Sequence, residues 1–232
     1  MFEAGWSVWE LALVVFVVAA LTLVLIPKWM KARNTSGRSA CQNNLKQVYA
    51  GLRLSQVDQF YPSELFAQTN TGGPENLWRI FQIADQSLSS PKILVCPQDS
   101  QRRPASDFLP PTSPLFSPGS LAHGVQRNSA LSYFSVMDAD ERAQSKLLVG
   151  DRNLTRDPKA SDKSPGSTHL VGAQDLGSTT NETKDLRWSI DLHNRAGNVA
   201  FMDGSVQQLT SPKLREALRN SSNGTNRIWL PN

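Results

Sequence analysis

The sequence predicts an α+β protein. A long N-terminal helix, transmembrane at first and amphipathic further on, packs on a mainly antiparallel sheet. Three observations predict it. The run from Trp6 to Ile26 holds only Ser7, Glu10 and Thr22 as polar residues. From Ser39 to about Val57, apolar residues recur at Cys41, Leu45, Val48, Leu52 and, less regularly, Val57, which makes one helical stripe. Near the C-terminus "NVAFMDGSVQQL" reads as two short strands around an Asp203-Gly204 hairpin turn.

The first run is 21 residues long. As a helix it spans about 31 Å, enough to cross a bilayer core. It has no polar face, so it does not fit a soluble core helix. A cleaved secretory signal fits poorly. Such peptides start basic and leave through small residues, whereas this chain starts "MFEAG" and exits through Ile26-Pro27-Lys28-Trp29. An acid inside such a run is a functional-site hypothesis by default, because burying its charge in lipid costs a few kcal/mol. Glu10 lies one helical turn in from Trp6. It needs a cation, a proton or access to the headgroups.

The later elements follow in order. Asn34-Thr35-Ser36-Gly37 is a point where the helix could bend or fray. "PENLWRIFQIA", Pro74 to Ala84, is a second helix with Leu77, Trp78 and Phe81 on one face. "KILVC" is a short buried strand ending at Cys96. Residues 97–120 carry six prolines and form a loop. "ALSYFSVM" and "SKLLVGD" are strands. Residues 152–186 are a long polar loop of a length that is usually functional or disordered. "RWSIDLH" alternates, and Asn194-Arg195-Ala196-Gly197 turns into the hairpin. Ser211 caps a last helix at Pro212, with Leu214 and Leu218 inward. There is no internal repeat.

The chain has 232 residues, 39% of them apolar, and a net charge of +4. The basic residues are scattered, so no nucleic acid partner is expected. Two cysteines, Cys41 and Cys96, cannot make a Cys-only zinc site. They pair if the domain is exported, or stay as two buried thiols if it is not. His193 and Asp203 are the best candidates for a polar pair, facing each other across the hairpin. They either pin the turn or, with Asp151 or Asp191, hold a metal or ligand. The pinned turn is the stronger reading, and no metal or cofactor is expected. His123 and His169 read as surface residues. No nucleophile elbow, zincin, phosphate-loop or Cys-His signature occurs, so the chain is not expected to be an enzyme.

"GWSVWEL" resembles the processing site of type IV prepilins and pseudopilins. In that family a prepilin peptidase cuts after a glycine, here Gly5. The new N-terminus, here Trp6, is methylated, and a glutamate stands at the fifth mature position, here Glu10. Trp6 stands where phenylalanine or methionine is usual, and the leader lacks the usual basic residues. "CQNNLKQ", "CPQD" and "HNRAGNVAFMDG" resemble, in order, three signatures of a prepilin-like family whose C-terminal domain carries an H-x9-DG motif, here His193, Asp203 and Gly204.

The resemblance implies a leader at 1–5, a transmembrane helix at 6–27, a helical stalk at 28–58 and a pilin-like head at 59–232, with loops 97–120 and 152–186. It implies a Cys41–Cys96 disulfide. It also implies a single-pass bacterial inner-membrane protein with a periplasmic head, joining other pilin-like subunits in a pseudopilus or pilus-like fibre of a type II secretion-like machine. In such a fibre Glu10 pairs with the Trp6 amine of a neighbour. One observation points the other way. Lys28, Lys31, Arg33 and Arg38 follow the anchor and no basic residue precedes it, which by the positive-inside rule alone would keep the head in the cytoplasm. A permanently tethered periplasmic module binding a glycan, peptide or secreted partner is the alternative. A membrane-tethered hydrolase is a third class.

Overall fold

The computed structural model describes residues 8–55, 76–137, 145–157, 170–221 and 226–231, with the backbone alone at 30–34. The expected leader, Gly5, Trp6, Val57, Pro74 and His169 lie outside the described residues. The chain divides into two compact units, Met1–Ser39 and Ala40–Asn232. Helix α1, Val8–Ser55, contributes residues to both.

In the first unit, Val8–Trp29 has a mean hydropathy of 2.6 and buries nothing against protein. It is the one described helix long and apolar enough to cross a membrane. The Thr22 hydroxyl donates back to Val18 O at 3.0 Å and Ala19 O at 2.8 Å, so this polar group is satisfied within the helix. The backbone is helical through Pro27 and also at Asn34–Gly37, where the sequence suggested that the helix could bend or fray.

The second unit is a six-stranded sheet with helices on both faces. Its strands are β1 (Tyr133–Val136), β2 (Leu147–Asp151), β4 (Gly172–Asp175), β6 (Ala196–Phe201), β7 (Val206–Thr210) and β8 (Arg227–Leu230), in the order β4-β8-β1-β2-β6-β7. Every described pairing is antiparallel. β3 (Leu154–Thr155) and β5 (Arg187–Trp188) form a separate two-stranded ladder. Alternate residues face opposite ways. Tyr133, Val149, Ala200 and Trp229 join a core with Cys41, Leu45, Val48 and Leu52 of α1 and with helix α2, Leu77–Ile83. Phe134, Leu148, Val199 and Ile228 face a second core with Trp188 and the inward Leu214 and Leu218 of helix α4, Ser211–Arg219. Burial on both faces explains why strands such as "LLVGD" read as nearly continuous apolar runs.

Several expected elements differ. "KILVC" is not a strand. Pro91–Leu94 forms a 3-10 turn because the Ser90 hydroxyl accepts from Lys92 N, and Pro91 starts a helix readily. Apolar composition alone cannot separate a buried strand from a buried turn. The 152–186 segment is not all loop. It carries β3, β4 and a helical turn α3, Thr180–Thr183, closed by a Thr179–Glu182 capping box. β4 is a half-exposed edge strand, so its polar composition hid it. Only Arg187–Trp188 of "RWSIDLH" is strand. The turn falls at 193–195, and Ala196 and Gly197 already belong to β6. Ser211 does not cap α4; its hydroxyl accepts from Trp188 N at 3.0 Å.

Candidate functional site

The three sequence signatures meet in one buried polar node. Cys41 on α1 is bonded to Cys96, with an S–S distance of 2.04 Å and Cα atoms 4.8 Å apart. Closing a loop of this length is worth roughly 4 kcal/mol on chain-entropy grounds. One turn further along α1, Asn44 Nδ2 donates to Val95 O at 3.1 Å. The first signature therefore docks on the second through both its cysteine and its asparagine.

The "CPQD" segment then turns over the end of the sheet. Gln98 Oε1 lies 2.7 Å from His193 Nδ1, which makes Nδ1 the donor. Asp99 is buried and accepts from Arg152 Nε at 2.7 Å, Arg152 Nη2 at 2.9 Å and the Ser132 hydroxyl at 2.8 Å. Burial alone would raise the Asp99 pKa. The hydrogen bond and charge of Arg152, with the Ser132 hydroxyl and the Gln101 amide, outweigh it and hold the carboxyl below its ordinary range.

His193 is buried on the far side of the same node. Its Nε2 lies 2.9 Å from Asn198 Nδ2, 3.2 Å from Asp151 Oδ2 and 3.5 Å from Cys96 Sγ. Asp151 Oδ2 accepts from Asn198 N at 2.6 Å and from Asn198 Nδ2 at 3.0 Å. With Nδ1 carrying the proton, Nε2 presents its lone pair to the Asn198 amide. His193, Asn194 and Arg195 all lie in the left-handed region, with φ of 51°, 53° and 66°. Such residues cost of order 1–3 kcal/mol each and persist only where their surroundings fix them. Asn153 supplies part of that fixing. Its Nδ2 reaches Ser189 O, Leu192 O and Ala196 O at 3.3, 3.1 and 3.2 Å.

The expected His193–Asp203 pair does not form. The nine residues between them include the whole of β6, and a six-residue strand extends about 20 Å. The two side chains belong to opposite ends of that strand. Asp203 is exposed and accepts from Ser205 N at 2.8 Å, closing its own turn. Gly204 has φ of 87°, and a Cβ there would sit 3.3 Å from the Tyr49 ring. The Tyr49 hydroxyl donates to Met202 O at 3.0 Å. Each end of the H-x9-DG segment thus meets residues tied to α1: Cys96 at the histidine end, Tyr49 at the glycine end. The interior spacing is the length of a strand.

No protein-family model, curated protein or solved structure matches the chain. The geometry therefore stands by itself. Cys41, Cys96, Asp151 and His193 are brought together, while Asp191 is exposed beside the Ser189 hydroxyl. Glu10 is exposed in the first turn of α1. Gln98 and Asp99 lie in the "CPQD" signature and Asn198 within "HNRAGNVAFMDG", but no role was read for them, and Arg152 and Asn153 were not singled out at all. The signal for Arg152 and Asn153 is their place in a polar cluster directly after the apolar strand "LLVG".

Proposed function

We propose that the chain is a membrane-anchored, pilin-like structural subunit with its head in the periplasm. It is processed after Gly5 by a prepilin peptidase and joins other pilin-like subunits through its anchor in a pseudopilus or pilus-like fibre. One observation carries the reading. The same helix holds an apolar span with an acid in its first turn and, at its other end, is bolted into the head by a disulfide, Asn44 and Tyr49. Such bolts suit a subunit that transmits load between anchor and head. The buried node leaves His193 and Asp151 enclosed rather than open to a substrate, which supports a structural role over a hydrolytic one. Mass spectrometry of the mature N-terminus from membranes tests it. A methylated Trp6 is expected, and an intact Met1 contradicts it.

One observation favours the tethered binding module as a second reading. A surface hollow of about 440 Å³ is lined by Trp78, Arg79, Phe108, Pro110 and Pro111. It lies partly on the proline-rich loop. A tethered binder would need neither Gly5 nor Glu10.

A further inference from the structure

We propose that reduction of the Cys41–Cys96 bond converts the buried node into a zinc site, with Cys41, Cys96 and His193 as ligands and Asp151 in the fourth position. The inference does not rest on the pilin-like reading.

The donor atoms are already gathered. Cys41 Sγ, Cys96 Sγ and a His193 ring nitrogen lie within 4.8 Å of one another. A tetrahedral zinc with bonds of about 2.0–2.3 Å places its ligand atoms about 3.3–3.8 Å apart. His193 Nε2 is 3.5 Å from Cys96 Sγ. Coordination needs the sulfurs to part from their bond and the Asn198 amide to release Nε2. The imidazole is also set up as a ligand. Nδ1 donates to Gln98 Oε1, which leaves Nε2 as the unprotonated nitrogen, facing the Asn198 amide with Cys96 Sγ 3.5 Å away. A second ring nitrogen held by an outer oxygen is the usual support of a metal-binding histidine. Asp151 Oδ2 lies 3.2 Å from Nε2, and Asp151 Oδ1 is buried with no hydrogen-bond partner among the described residues. Two cysteines, a histidine and a carboxylate are ordinary zinc donors, and the two thiolates with the Asp151 carboxylate supply three negative charges against the two of the ion.

The chemistry balances with a dithiol reductant. Its thiolate attacks one sulfur of the disulfide, and its second thiol closes its own disulfide. Two electrons and two protons pass to Cys41 and Cys96. Zinc then displaces both thiol protons to water. Reoxidation by a disulfide oxidant, which takes up the two electrons and leaves as its dithiol, restores the Cys41–Cys96 bond and expels the ion. The node would therefore carry zinc wherever the head stands in a reducing compartment and a disulfide wherever it does not.

The test uses the full chain in detergent micelles. It is reduced anaerobically with a phosphine, which leaves as its oxide, and titrated with Zn²⁺ against a chromogenic chelator. Far-ultraviolet circular dichroism follows the fold. The reduced chain should bind one zinc, the oxidised chain none. Co²⁺ should give thiolate-to-metal charge-transfer absorption in the reduced chain only. Gln98→Ala, which leaves every ligand in place, should weaken zinc about 10–100-fold. His193→Gln should weaken it further. Absence of stoichiometric zinc in the reduced chain, folded or not, overturns the proposal. So does equal binding by the oxidised chain, or wild-type affinity in Gln98→Ala.

Discussion

Removing Asp99 should destabilise the head more than its single carboxylate suggests. The Asp99 side chain is fully buried and that of Arg152 is 5% exposed. Asp99→Ala deletes the contacts at 2.7 and 2.9 Å to Arg152 and at 2.8 Å to Ser132. Arg152 then keeps Gln101 Oε1 at 2.9 Å as a neutral acceptor, but no carboxylate. A buried charge stripped of its partner costs about 3–5 kcal/mol. Asp99→Asn retains an acceptor and should fall near the lower end. With a urea slope of about 1–3 kcal/mol per molar, the Ala variant should unfold roughly 2 M earlier. The assay is urea unfolding of the chain in micelles, followed by tryptophan fluorescence. The double variant Asp99→Leu/Arg152→Met removes both charges and should be less destabilised than Asp99→Ala alone. An Asp99→Ala midpoint within about 0.5 M of wild type would refute the reasoning, as would a double variant no better than the single one.

Acid should act through the same pair. The folded Asp99 pKa lies below its unfolded value of about 3.9, so its contribution is full above that value and is lost as pH falls through the lower folded one. The stability gap between wild type and Asp99→Asn should therefore shrink below about pH 4, and a gap that widens there counts against this. His193→Ala removes the acceptor of one Asn198 Nδ2 hydrogen and the donor to Gln98 Oε1 inside the buried node and should cost about 1–3 kcal/mol, while Asp203→Ala loses one exposed turn contact and should cost about 1 kcal/mol or less. Equal unfolding midpoints for the two variants would restore the direct His193–Asp203 pairing.

The elements that could be read from sequence were those with local periodicity. The α1 stripe at Cys41, Leu45, Val48 and Leu52 is buried as its spacing required. The hairpin from β6 to β7 carries its own turn chemistry in Asp203 and Gly204. The elements that were missed depend on distant partners. β4 pairs with β8, and neither has a neighbour in sequence that reveals it. Ser90 turned "KILVC" through one side-chain bond that apolar composition does not encode. The site was legible as residue types but not as pairings. His193 and Asp203 both stood out, yet the strand between them sends one to the disulfide and the other to the Tyr49 end of α1. His193 meets Gln98 and Asn198 instead, and because β2 and β6 are adjacent in the sheet Asp151 joins the node through Asn198, whose amide donates to its Oδ2.

The proposed assembly turns on Glu10. A lone carboxylate near the edge of a membrane helix can reach the headgroups, so insertion alone does not require its removal. Its value should arise when a neighbouring anchor brings a positive Trp6 amine within a few ångströms, where low dielectric strengthens the attraction. Apolar faces supply the remaining packing. Glu10→Leu should insert, be cut after Gly5 and fail to assemble, and Glu10→Gln should be partly defective. The direct measurement is disulfide cross-linking between subunits in membranes through a cysteine placed at Val14. The native cysteines are already paired and leave that probe alone. Wild-type subunits should cross-link in one register and Glu10→Leu subunits should not. Equal cross-linking in the same register by both would contradict the assembly role.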